Sequence, residues 1–373
     1  MFLSKAEIQR YARHLNLPGF GLEQQKQLKA GKVLVVGAGG LGCPILQYLA
    51  AAGVGRIGII DHDVVDRSNL HRQILYTEAD VGRPKAEVAA ERVQALNPHT
   101  EVDCFTTGLS SGNALEIFAN YDLIIDGTDN FPTRYLINDA CLLSEKPLIH
   151  GAVSQFEGQV AVFNYLRSDG SRGPNYRDLF PTPPPPEAVP NCAEAGVLGV
   201  LPGIIGNLQA IEALKVLLRL GEPLDGQLLL FDALGMQARK IRFPKLSRHS
   251  VTELLSYAQY CGPGHEPVPD RFWMSPQALY DRLESPEPPV LVDIREAAEH
   301  AFSNIGGQLV PKKAFLAGFE LPVDRDVVLY CRSGKRCGIA WNALPAERRQ
   351  RVYLLEGGML AWVKQFAPEL EVL

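Results

Sequence analysis

The sequence predicts an α/β protein with two domains of unequal size. At two places, from residue 33 and from residue 327, an apolar segment that predicts a strand is followed by a short turn and then by a helical pattern. Between these units, residues 245–270 are rich in proline and glycine and predict a linker that joins domains at 1–244 and 271–373. The 373 residues, 46% hydrophobic and 21% charged, are enough to bury both cores.

Bulk composition excludes several classes of function. A net charge of −5 offers no basic surface for nucleic acid. The N-terminus lacks a secretion-signal pattern, and polar residues and Pro202 interrupt the longest apolar region, 195–220, so we expect a soluble cytoplasmic protein with no membrane partner. The seven cysteines form no C-x-x-C pair, which favours reduced thiols and gives no support for a zinc site of the usual spacing.

The chain begins with a predicted helical region at residues 4–30. Arg10 and Arg13 lie three residues apart within it, which predicts that they share one helix face. Ordinary surface charge is the alternative to a functional role for this pair.

A glycine-rich turn follows the first predicted strand. Gly37, Gly39 and Gly42 fit the pattern G-x-G-x-x-G, in which backbone N–H groups and a helix N-terminus approach a polyphosphate. The second strand, 56–60, ends at Asp61, about 20 residues beyond the turn, where a carboxylate can accept both ribose hydroxyls. These residues predict a nucleotide site, whose commonest occupant in isolation is the NAD or FAD of an oxidoreductase.

The residues that follow Asp61 do not suit that class. An oxidoreductase of this fold usually leaves the turn free for the adenosine, whereas here Asn69, Arg72 and Gln73 place polar side chains beside it. The nucleotide can therefore be a substrate of the reaction and not a redox cofactor.

A helix is predicted to begin near Pro84, with a cation in its first turn. Lys85 there opposes the helix dipole by roughly 0.3–1 kcal/mol, a cost that a neighbouring phosphate would remove. Lys85 is a candidate phosphate ligand, and a tolerated charge is the alternative. An inward apolar stripe is predicted for the same helix, formed by Ala86, Ala89, Val93 and Leu96.

The strand at 122–126 leads into a turn that carries Asp129. Open α/β sheets bind ligands beyond the carboxyl ends of their strands, so Asp129 is predicted to face the same crevice as the glycine turn. A carboxylate facing phosphates there predicts a Mg²⁺ ligand. Its alternative role is to cap the next helix. Apolar strands at 148–151, 159–163 and 227–231 complete the sheet, and the proline-rich segment 170–190 predicts neither helix nor central strand.

Five motifs in this order resemble the MoeB/ThiF family of ubiquitin-activating-type enzymes over roughly residues 4–243. They read Arg10-x-x-Arg13, Gly37-x-Gly39-Gly40-x-Gly42, Asp61-x-Asp63 with Ser68-Asn69-Leu70-x-Arg72-Gln73, Gly82-x-Pro84-Lys85, and Thr128-Asp129-Asn130. The resemblance implies a Rossmann-like adenylating domain with a mixed sheet. It further implies ATP-dependent adenylation of the C-terminal glycine of a ubiquitin-fold sulfur-carrier protein of MoaD/ThiS type, as in molybdopterin (molybdenum cofactor), thiamine or tRNA-thiolation pathways.

The resemblance also assigns roles by position. Asp61 would hold the ribose, Asn69, Arg72 and Lys85 would neutralise the triphosphate, and Asp129 would bind Mg²⁺. Arg13 would reach into the neighbouring site of a homodimer. The nucleotide-binding set as a whole is Gly37, Gly39, Gly40, Gly42, Asp61, Asp63, Asn69, Arg72, Lys85 and Asp129.

Two further positions depend on this family. Cys192 stands where some members bond covalently to the carrier, so it is either a nucleophile that forms a thioester or a small residue before a helix. Many relatives hold zinc with two C-x-x-C pairs, but here Asn175 and Asp178 occupy the first pair, and Cys261 alone remains near the second. We therefore expect no bound zinc.

The second domain predicts a reactive cysteine. Ser275 and Pro276 begin its first helix, and apolar strands are predicted at 290–295 and 327–330. The second of these strands delivers Cys331 to a short loop before a helix, among arginine and lysine side chains, where a thiol pKa falls. This loop and the run 356–362 resemble a rhodanese domain, which implies a persulfide on Cys331. The predicted sulfur loop comprises Cys331, Arg332, Ser333, Gly334, Lys335, Arg336 and Cys337, with Arg332, Lys335 and Arg336 toward the sulfur donor.

Cys337 departs from the rhodanese pattern, in which serine, threonine or arginine is common at this position. It would either resolve a persulfide into a disulfide or be inert. Together the two resemblances imply a bifunctional adenylyltransferase and sulfurtransferase. One alternative is an adenylyltransferase whose rhodanese module, whether or not it is active, only docks partners, while a cysteine desulfurase supplies the sulfur. The other is an activator of a ubiquitin-like protein that forms a thioester at Cys192.

Overall fold

The structure is a computed structural model, and it describes residues 2–183, 196–246, 251–257 and 268–372. The chain divides into two compact units, Met1–Gly262 and Pro263–Leu373. Cys192, Cys261 and parts of the 170–190 segment and of the predicted linker lie outside the described residues.

The first unit is built on a mixed sheet of eight strands in the order β3-β2-β1-β4-β5-β6-β7-β8. Strands β1 to β5 run parallel, and β6, β7 and β8 continue the sheet in antiparallel pairs. The strands are β1 Lys32–Val36, β2 Arg56–Ile60, β3 Glu101–Phe105, β4 Leu123–Asp126, β5 Leu148–Ser154, β6 Glu157–Phe163, β7 Gln227–Asp232 and β8 Gln237–Arg242.

Helices cover both faces of this sheet, and an apolar core fills each layer. Strands β1, β2 and β4 read as unbroken apolar runs because both of their faces are buried. The helices are α1 Lys5–Arg10, α2 Ala12–Leu15, α3 Leu22–Ala30, α4 Gly42–Ala52, α5 Lys85–Leu96, α6 Ala114–Phe118, α7 Phe131–Leu143, α8 Tyr176–Leu179 and α9 Val200–Leu218.

Helix α9 is long and apolar enough, by length and composition, to cross a membrane. In this fold it packs against α4 and strand β5. Two polar side chains on it are buried and hydrogen-bonded: the Gln209 amide donates to the Asp126 carbonyl at 2.8 Å, and Glu212 accepts the Leu224 N–H at 2.9 Å. These contacts identify α9 as a helix of the domain core.

The second unit contains a parallel five-stranded sheet in the order β11-β10-β12-β13-β9, with an apolar core on each face. Its strands are β9 Trp273–Met274, β10 Val290–Asp293, β11 Gln308–Leu309, β12 Val327–Tyr330 and β13 Val352–Leu355. Its helices are α10 Pro276–Leu283, α11 Ala297–Phe302, α12 Lys312–Leu316, α13 Lys335–Ala343, α14 Ala346–Arg349 and α15 Gly358–Phe366. Ser275 caps α10 through the Ala278 N–H, as predicted.

Three predictions about helices are wrong. Residues 4–30 are largely helical, as predicted, but they form three helices, so the prediction that Arg10 and Arg13 share one helix face is wrong. Arg10 instead donates to the Leu96 carbonyl at 3.0 Å. Leu96 ends α5 with 40% of its surface exposed and is not part of the inward stripe. The proline-rich segment contains α8, because Asn175 and Asp178 form a capping box at its N-terminus.

Candidate functional sites

The glycine turn lies where three parallel strands end side by side. Val36 of β1 pairs with Ile60 of β2 and with Asp126 of β4, so the turns that follow these strands meet at one edge of the sheet. Gly37 adopts φ +94°, and a Cβ there would lie 2.8 Å from the Gly127 carbonyl oxygen. Only glycine fits at this position, because the turns after β1 and β4 touch.

A cavity opens above these turns and gathers most of the predicted nucleotide site. The predicted residues that line it are Gly37, Gly39, Gly40, Asp61, Asp63, Arg72, Lys85 and Asp129. Gly42 lies beside it as the first residue of α4, where it packs on the Gly37 carbonyl. The sequence therefore placed the glycine turn, both strand-end carboxylates and two cations around one cavity.

Two predicted residues are not in the cavity lining. Asn69 lies in a short 3-10 helix, where its carbonyl accepts the N–H groups of Arg72 and Gln73 and so shapes the turn that carries them. Arg13 is exposed on α2. Within the described part of one chain, neither side chain belongs to the lining of this cavity.

Lys85 is buried, with 6% of its surface exposed. Its Nζ lies 3.0 Å from a carboxylate oxygen of Asp63, and its backbone N–H donates to the Asp63 carbonyl at 2.9 Å. A carboxylate therefore neutralises this helix-terminal cation and holds it toward the cavity. The predicted penalty against the helix dipole is offset by Asp63, and a phosphate is not required for it.

Asp61 is tied to the glycine turn. Its carboxylate accepts the Ala38 N–H at 2.8 Å and the Asp63 N–H at 2.9 Å. Burial raises the pKa of the Asp61 carboxyl, and the charge of Lys85 opposes this effect. Each of its two oxygens thus accepts one protein N–H and retains a lone pair, as a ribose-binding carboxylate requires.

Asp129 is the cavity carboxylate best suited to a metal ion. It is exposed, and within the described ranges its carboxylate has no hydrogen-bond or ion-pair partner, while the cap of α7 is Asn130, whose side chain accepts the Thr133 N–H at 3.0 Å. The carboxylates of Asp61 and Asp63 lie within 4.8 Å of each other and of a His62 nitrogen, but they already hold N–H groups and Lys85. A hard cation such as Mg²⁺ suits the unpaired oxygen ligand at Asp129.

Sequence reasoning missed Arg134 and left Gln73 out of the site. Both line the cavity, and each carries a buried polar atom without a hydrogen-bond partner among the described residues: Nε of Arg134, which lies 3.9 Å from the Asp126 carboxylate, and Oε1 of Gln73. Arg134 reaches back from α7 to donate to the Thr128 carbonyl at 3.0 Å. Buried polar atoms without partners in a cavity indicate that a polar ligand completes them.

A buried network supports the turn that carries Asp129. Asp126 accepts the Thr128 hydroxyl at 2.6 Å and contacts His150 Nδ1 at 3.0 Å. Burial opposes the charge on Asp126, but the His150 hydrogen bond and the Arg134 charge outweigh it and lower the pKa of this carboxyl. Burial also lowers the pKa of His150, which is therefore a neutral donor to Asp126 at neutral pH.

The second unit contains the sulfur loop. Cys331 follows β12 directly, Gly334 turns the chain at φ +87°, and α13 begins at Lys335. The Gly334 N–H donates to Cys331 Sγ at 3.2 Å. Cys331 is 1% exposed, and Cys337, in the first turn of α13, is fully buried in the same apolar core cluster.

The loop makes Cys331 acidic. The hydrogen bond from the Cys337 thiol, joined by the N–H groups of Cys337 and Ser333 and the charge of Arg336, lowers the pKa of Cys331 to about 6 against the effect of burial. Burial, together with the neighbouring Cys331, raises the pKa of Cys337 far above its ordinary value. At neutral pH the pair is thus a thiolate that accepts from a neutral thiol.

The three predicted donor-binding cations of the loop differ in their surroundings. The two terminal guanidinium nitrogens of Arg336 (Nη1 and Nη2) each lie 2.6 Å from a carboxylate oxygen of Glu299 on α11, in a bidentate ion pair. Arg332 has a buried Nε without a partner among the described residues. Lys335 is exposed at the start of α13. Arg336 therefore also fixes the loop against α11.

These two sites define a class: an α/β protein with a nucleotide-phosphate cavity in one unit and an acidic cysteine loop in the other. Comparison with known proteins gives the family. The ThiF family model matches residues 11–252, and the rhodanese-like domain model matches residues 275–365. The chain belongs to the ThiF family and carries a C-terminal rhodanese-like domain.

Individual relatives agree with this assignment. A Mycobacterium tuberculosis protein named "Probable adenylyltransferase/sulfurtransferase MoeZ" is 46% identical over 376 residues, which cover 99% of this chain and 96% of its own. A Thermus thermophilus "Sulfur carrier protein adenylyltransferase" is 56% identical over 266 residues, 69% of this chain and 98% of its own. The crystal structure of E. coli MccB with MccA-N7isoASN shares the fold, at 21% identity and a TM-score of 0.56, over 67% of this chain and 75% of that one.

Proposed function

We propose that this protein is an adenylyltransferase and sulfurtransferase that acts on a sulfur-carrier protein. The supporting observation is that one chain holds the glycine turn, Lys85, Arg72 and Asp129 around one cavity, and an acidic Cys331 at the head of a helix in its second unit. The cavity suits phosphate chemistry, and Cys331 suits transfer of sulfur.

In the first step, a carboxylate of the carrier attacks the α-phosphorus of ATP, and pyrophosphate leaves. The chain's contribution is to position the reactants and to stabilise charge that develops on the phosphates. Lys85, held by Asp63, and Arg72 line the cavity where that charge develops, and the Arg134 Nε, which has no hydrogen-bond partner among the described residues, adds a donor. Asp129 would hold Mg²⁺, which would supply positive charge to offset the negative charge of the phosphates.

In the second step, Cys331 carries a persulfide that attacks the acyl-adenylate. A thiolate at neutral pH takes sulfur from a donor readily, and the Gly334 N–H stabilises charge on its Sγ. We further propose that the carrier is a ubiquitin-fold protein of MoaD/ThiS type ending in glycine, that the protein works as a homodimer in the cytoplasm, and that a cysteine desulfurase supplies the sulfur. Five described cysteines are free thiols, which supports a reducing compartment.

Carrier-dependent exchange of pyrophosphate into ATP tests the first step. Asp129→Ala is expected to lower the exchange rate by on the order of 10²-fold, the usual effect of removing one group that stabilises transition-state charge. Asp324→Ala removes an exposed carboxylate of the second unit and serves as the matched control. Exchange that survives Asp129→Ala unchanged, or that is absent with every ubiquitin-fold carrier of the same organism, would contradict the assignment.

Formation of the carrier thiocarboxylate with thiosulfate as sole sulfur donor tests the second step. Cys331→Ala is expected to abolish the product and to leave pyrophosphate exchange intact, whereas Cys104→Ala, at an exposed cysteine of β3, should affect neither. Unchanged thiocarboxylate formation by Cys331→Ala would favour the alternative in which the rhodanese-like domain only docks partners.

A further inference from the structure

The sulfur loop contains a second thiol that the transfer of sulfur leaves unused. The sequence of the second unit has two cysteines, Cys331 and Cys337. Both are buried, and both belong to the same apolar core cluster. The Gly334 N–H donates to Cys331 Sγ at 3.2 Å, which places this sulfur at the N-terminus of the helix whose first turn carries Cys337. Two thiols at one helix terminus beside a persulfide site are positioned for thiol–disulfide exchange.

The helix geometry directs Cys337 toward the reacting sulfur. Cys337 is the third residue of α13, and side chains of helical residues lean toward the helix N-terminus, which here is the end that faces Cys331. Arg336, the preceding residue, is locked to Glu299 by two contacts of 2.6 Å. The first turn of α13 is thus held in place, and with it the Cys337 thiol.

We propose that Cys337 is the resolving thiol of the sulfur transfer, releasing the carrier thiocarboxylate by forming a disulfide with Cys331. This rests on the proposed function. The outer sulfur of the Cys331 persulfide first attacks the acyl-adenylate carbonyl, and AMP leaves with the electron pair of the C–O bond. The product is an acyl disulfide between the carrier and Cys331 Sγ.

Cys337 Sγ then attacks Cys331 Sγ and loses its proton to solvent. The bond between Cys331 Sγ and the acyl sulfur breaks, and the thiocarboxylate leaves with its electron pair. Cys331 Sγ stays at the disulfide level in this step, while Cys337 Sγ takes the place of the acyl sulfur. Relative to the starting dithiol and the sulfane sulfur taken from the donor, the two cysteines have lost two electrons and the transferred sulfur has gained them. A thiol reductant returns the Cys331–Cys337 disulfide to the dithiol before the next turnover.

The charge state of the pair supplies an order of events. Burial, and after it the neighbouring Cys331 thiolate, raise the pKa of Cys337 and keep that thiol neutral. Once Cys331 Sγ is bonded in the acyl disulfide, it carries no charge, and its part of this effect ends. Cys337 therefore becomes a better nucleophile only after the carrier has been captured.

A single-turnover experiment without reductant tests the proposal. The full-length protein is loaded with thiosulfate, desalted, and mixed with ATP, Mg²⁺ and a ubiquitin-fold sulfur-carrier protein of the same organism. Intact-mass spectrometry then follows both proteins. Wild type is expected to yield free thiocarboxylate and a protein two hydrogens lighter, with a disulfide mapped to Cys331 and Cys337.

Cys337→Ser is expected to lose free thiocarboxylate and to accumulate the carrier–Cys331 adduct, which added dithiothreitol cleaves. Cys104→Ser, at an exposed cysteine of the first unit, should behave as wild type. Free thiocarboxylate from Cys337→Ser at the wild-type rate would overturn the proposal, as would trapping of the adduct by Cys192→Ser instead.

Two controls separate this inference from the proposed function. AMP release and the added mass of one sulfur atom on Cys331 must appear in both wild type and Cys337→Ser. Their absence in wild type refutes the proposed function. Their presence in both proteins, with no adduct in Cys337→Ser, refutes the role of Cys337 alone and also excludes misfolding of the variant as the cause.

Discussion

The acidity of Cys331 depends on a neighbouring side chain that is itself a thiol. The hydrogen bond from Cys337 is the leading cause of its lowered pKa, and the loop N–H groups and Arg336 follow. Because the thiolate reacts with alkylating agents and the thiol does not, reactivity rises as pH passes the pKa. In wild type that rise is expected at a pH of about 6.

Replacing Cys337 with alanine or serine separates this donor role from the resolving role. Cys337→Ala is expected to move the midpoint of iodoacetamide reactivity upward, toward the ordinary cysteine value of about 8.5. Cys337→Ser keeps a hydroxyl donor and should stay close to wild type. Cys331→Ala identifies any signal from other cysteines. Equal midpoints for wild type and Cys337→Ala would show that the helix terminus and Arg336 are enough to lower the pKa of Cys331.

Individual site residues differed in how well the sequence predicted them. Asp61, Lys85 and Asp129 were predictable because each stands at a strand end or a helix start, and such positions converge at one edge of a parallel sheet. Arg134 was not predicted, because it lies within α7, four residues after the cap Asn130. Nothing in the sequence shows that a side chain at this position of the helix points into the cavity. The pairing of Arg336 with Glu299 joins separate elements, and sequence spacing does not disclose it.

Among the strands and helices, those that are buried were the ones that the sequence predicted best. Strands β1, β2 and β12 are central, and their apolar runs predicted them to within a residue or two. The outermost strands of the first sheet, β3 and β8, were not predicted. Strand β8 is mostly polar and fully exposed, and β3 mixes polar with apolar residues and buries none of them completely, so neither shows an apolar run. Helix α8 is four residues long within a proline-rich segment, where capping contacts outweigh composition.

The capping box of α8 occupies the position that the family resemblance assigns to a first zinc-binding pair. Asp178 accepts the Asn175 N–H at 2.7 Å and its side-chain amide at 2.8 Å, and its other oxygen accepts the Leu246 N–H at 2.8 Å. Both side chains are buried. The Asp178 carboxylate thus links two segments that are distant in sequence, as a structural metal ion would. Both of its oxygens accept hydrogen bonds from the protein.

Removing this carboxylate should destabilise the first unit. Asp178→Ala is expected to lower the free energy of unfolding by about 1–2 kcal/mol, because a cap and a buried acceptor are lost. Glu222→Ala, at an exposed carboxylate, is the matched control. Calorimetry should also show no change in the wild-type melting temperature with a chelator, and elemental analysis no zinc. One zinc per chain, or chelator sensitivity, would refute this account.

At the scale of the whole molecule, the two units perform complementary chemistry. The first converts a stable carboxylate into an acyl-adenylate, and the second offers a sulfur nucleophile that displaces AMP. An acyl-adenylate is open to hydrolysis, so joining both activities in one chain raises the effective concentration of the nucleophile at the activated carrier. Cys331 and the ATP site therefore depend on each other for product, although each can be inactivated separately.

The single chain leaves one predicted participant outside its own ATP site. Arg13 is exposed on α2 and does not belong to the cavity lining described above, yet the family resemblance implies that it serves the site of a partner. In a twofold dimer, a residue donated across the interface completes the opposite site rather than its own. Two inactive variants, Arg13→Ala and Asp129→Ala, test this arrangement by complementation.

Each variant alone is expected to lose carrier-dependent pyrophosphate exchange, and a mixture incubated to allow subunit exchange should recover part of it. In a mixed dimer, one site has a native Asp129 and receives a native Arg13 from the partner, while the other site lacks both. Mixing Asp129→Ala with Lys85→Met gives the contrast, because those two residues line the same cavity. In that mixture each site still lacks one of the two, so activity should stay lost. Recovery in neither mixture would place Arg13 in its own chain's chemistry, and an Arg13→Ala variant that is active alone would place it outside the reaction.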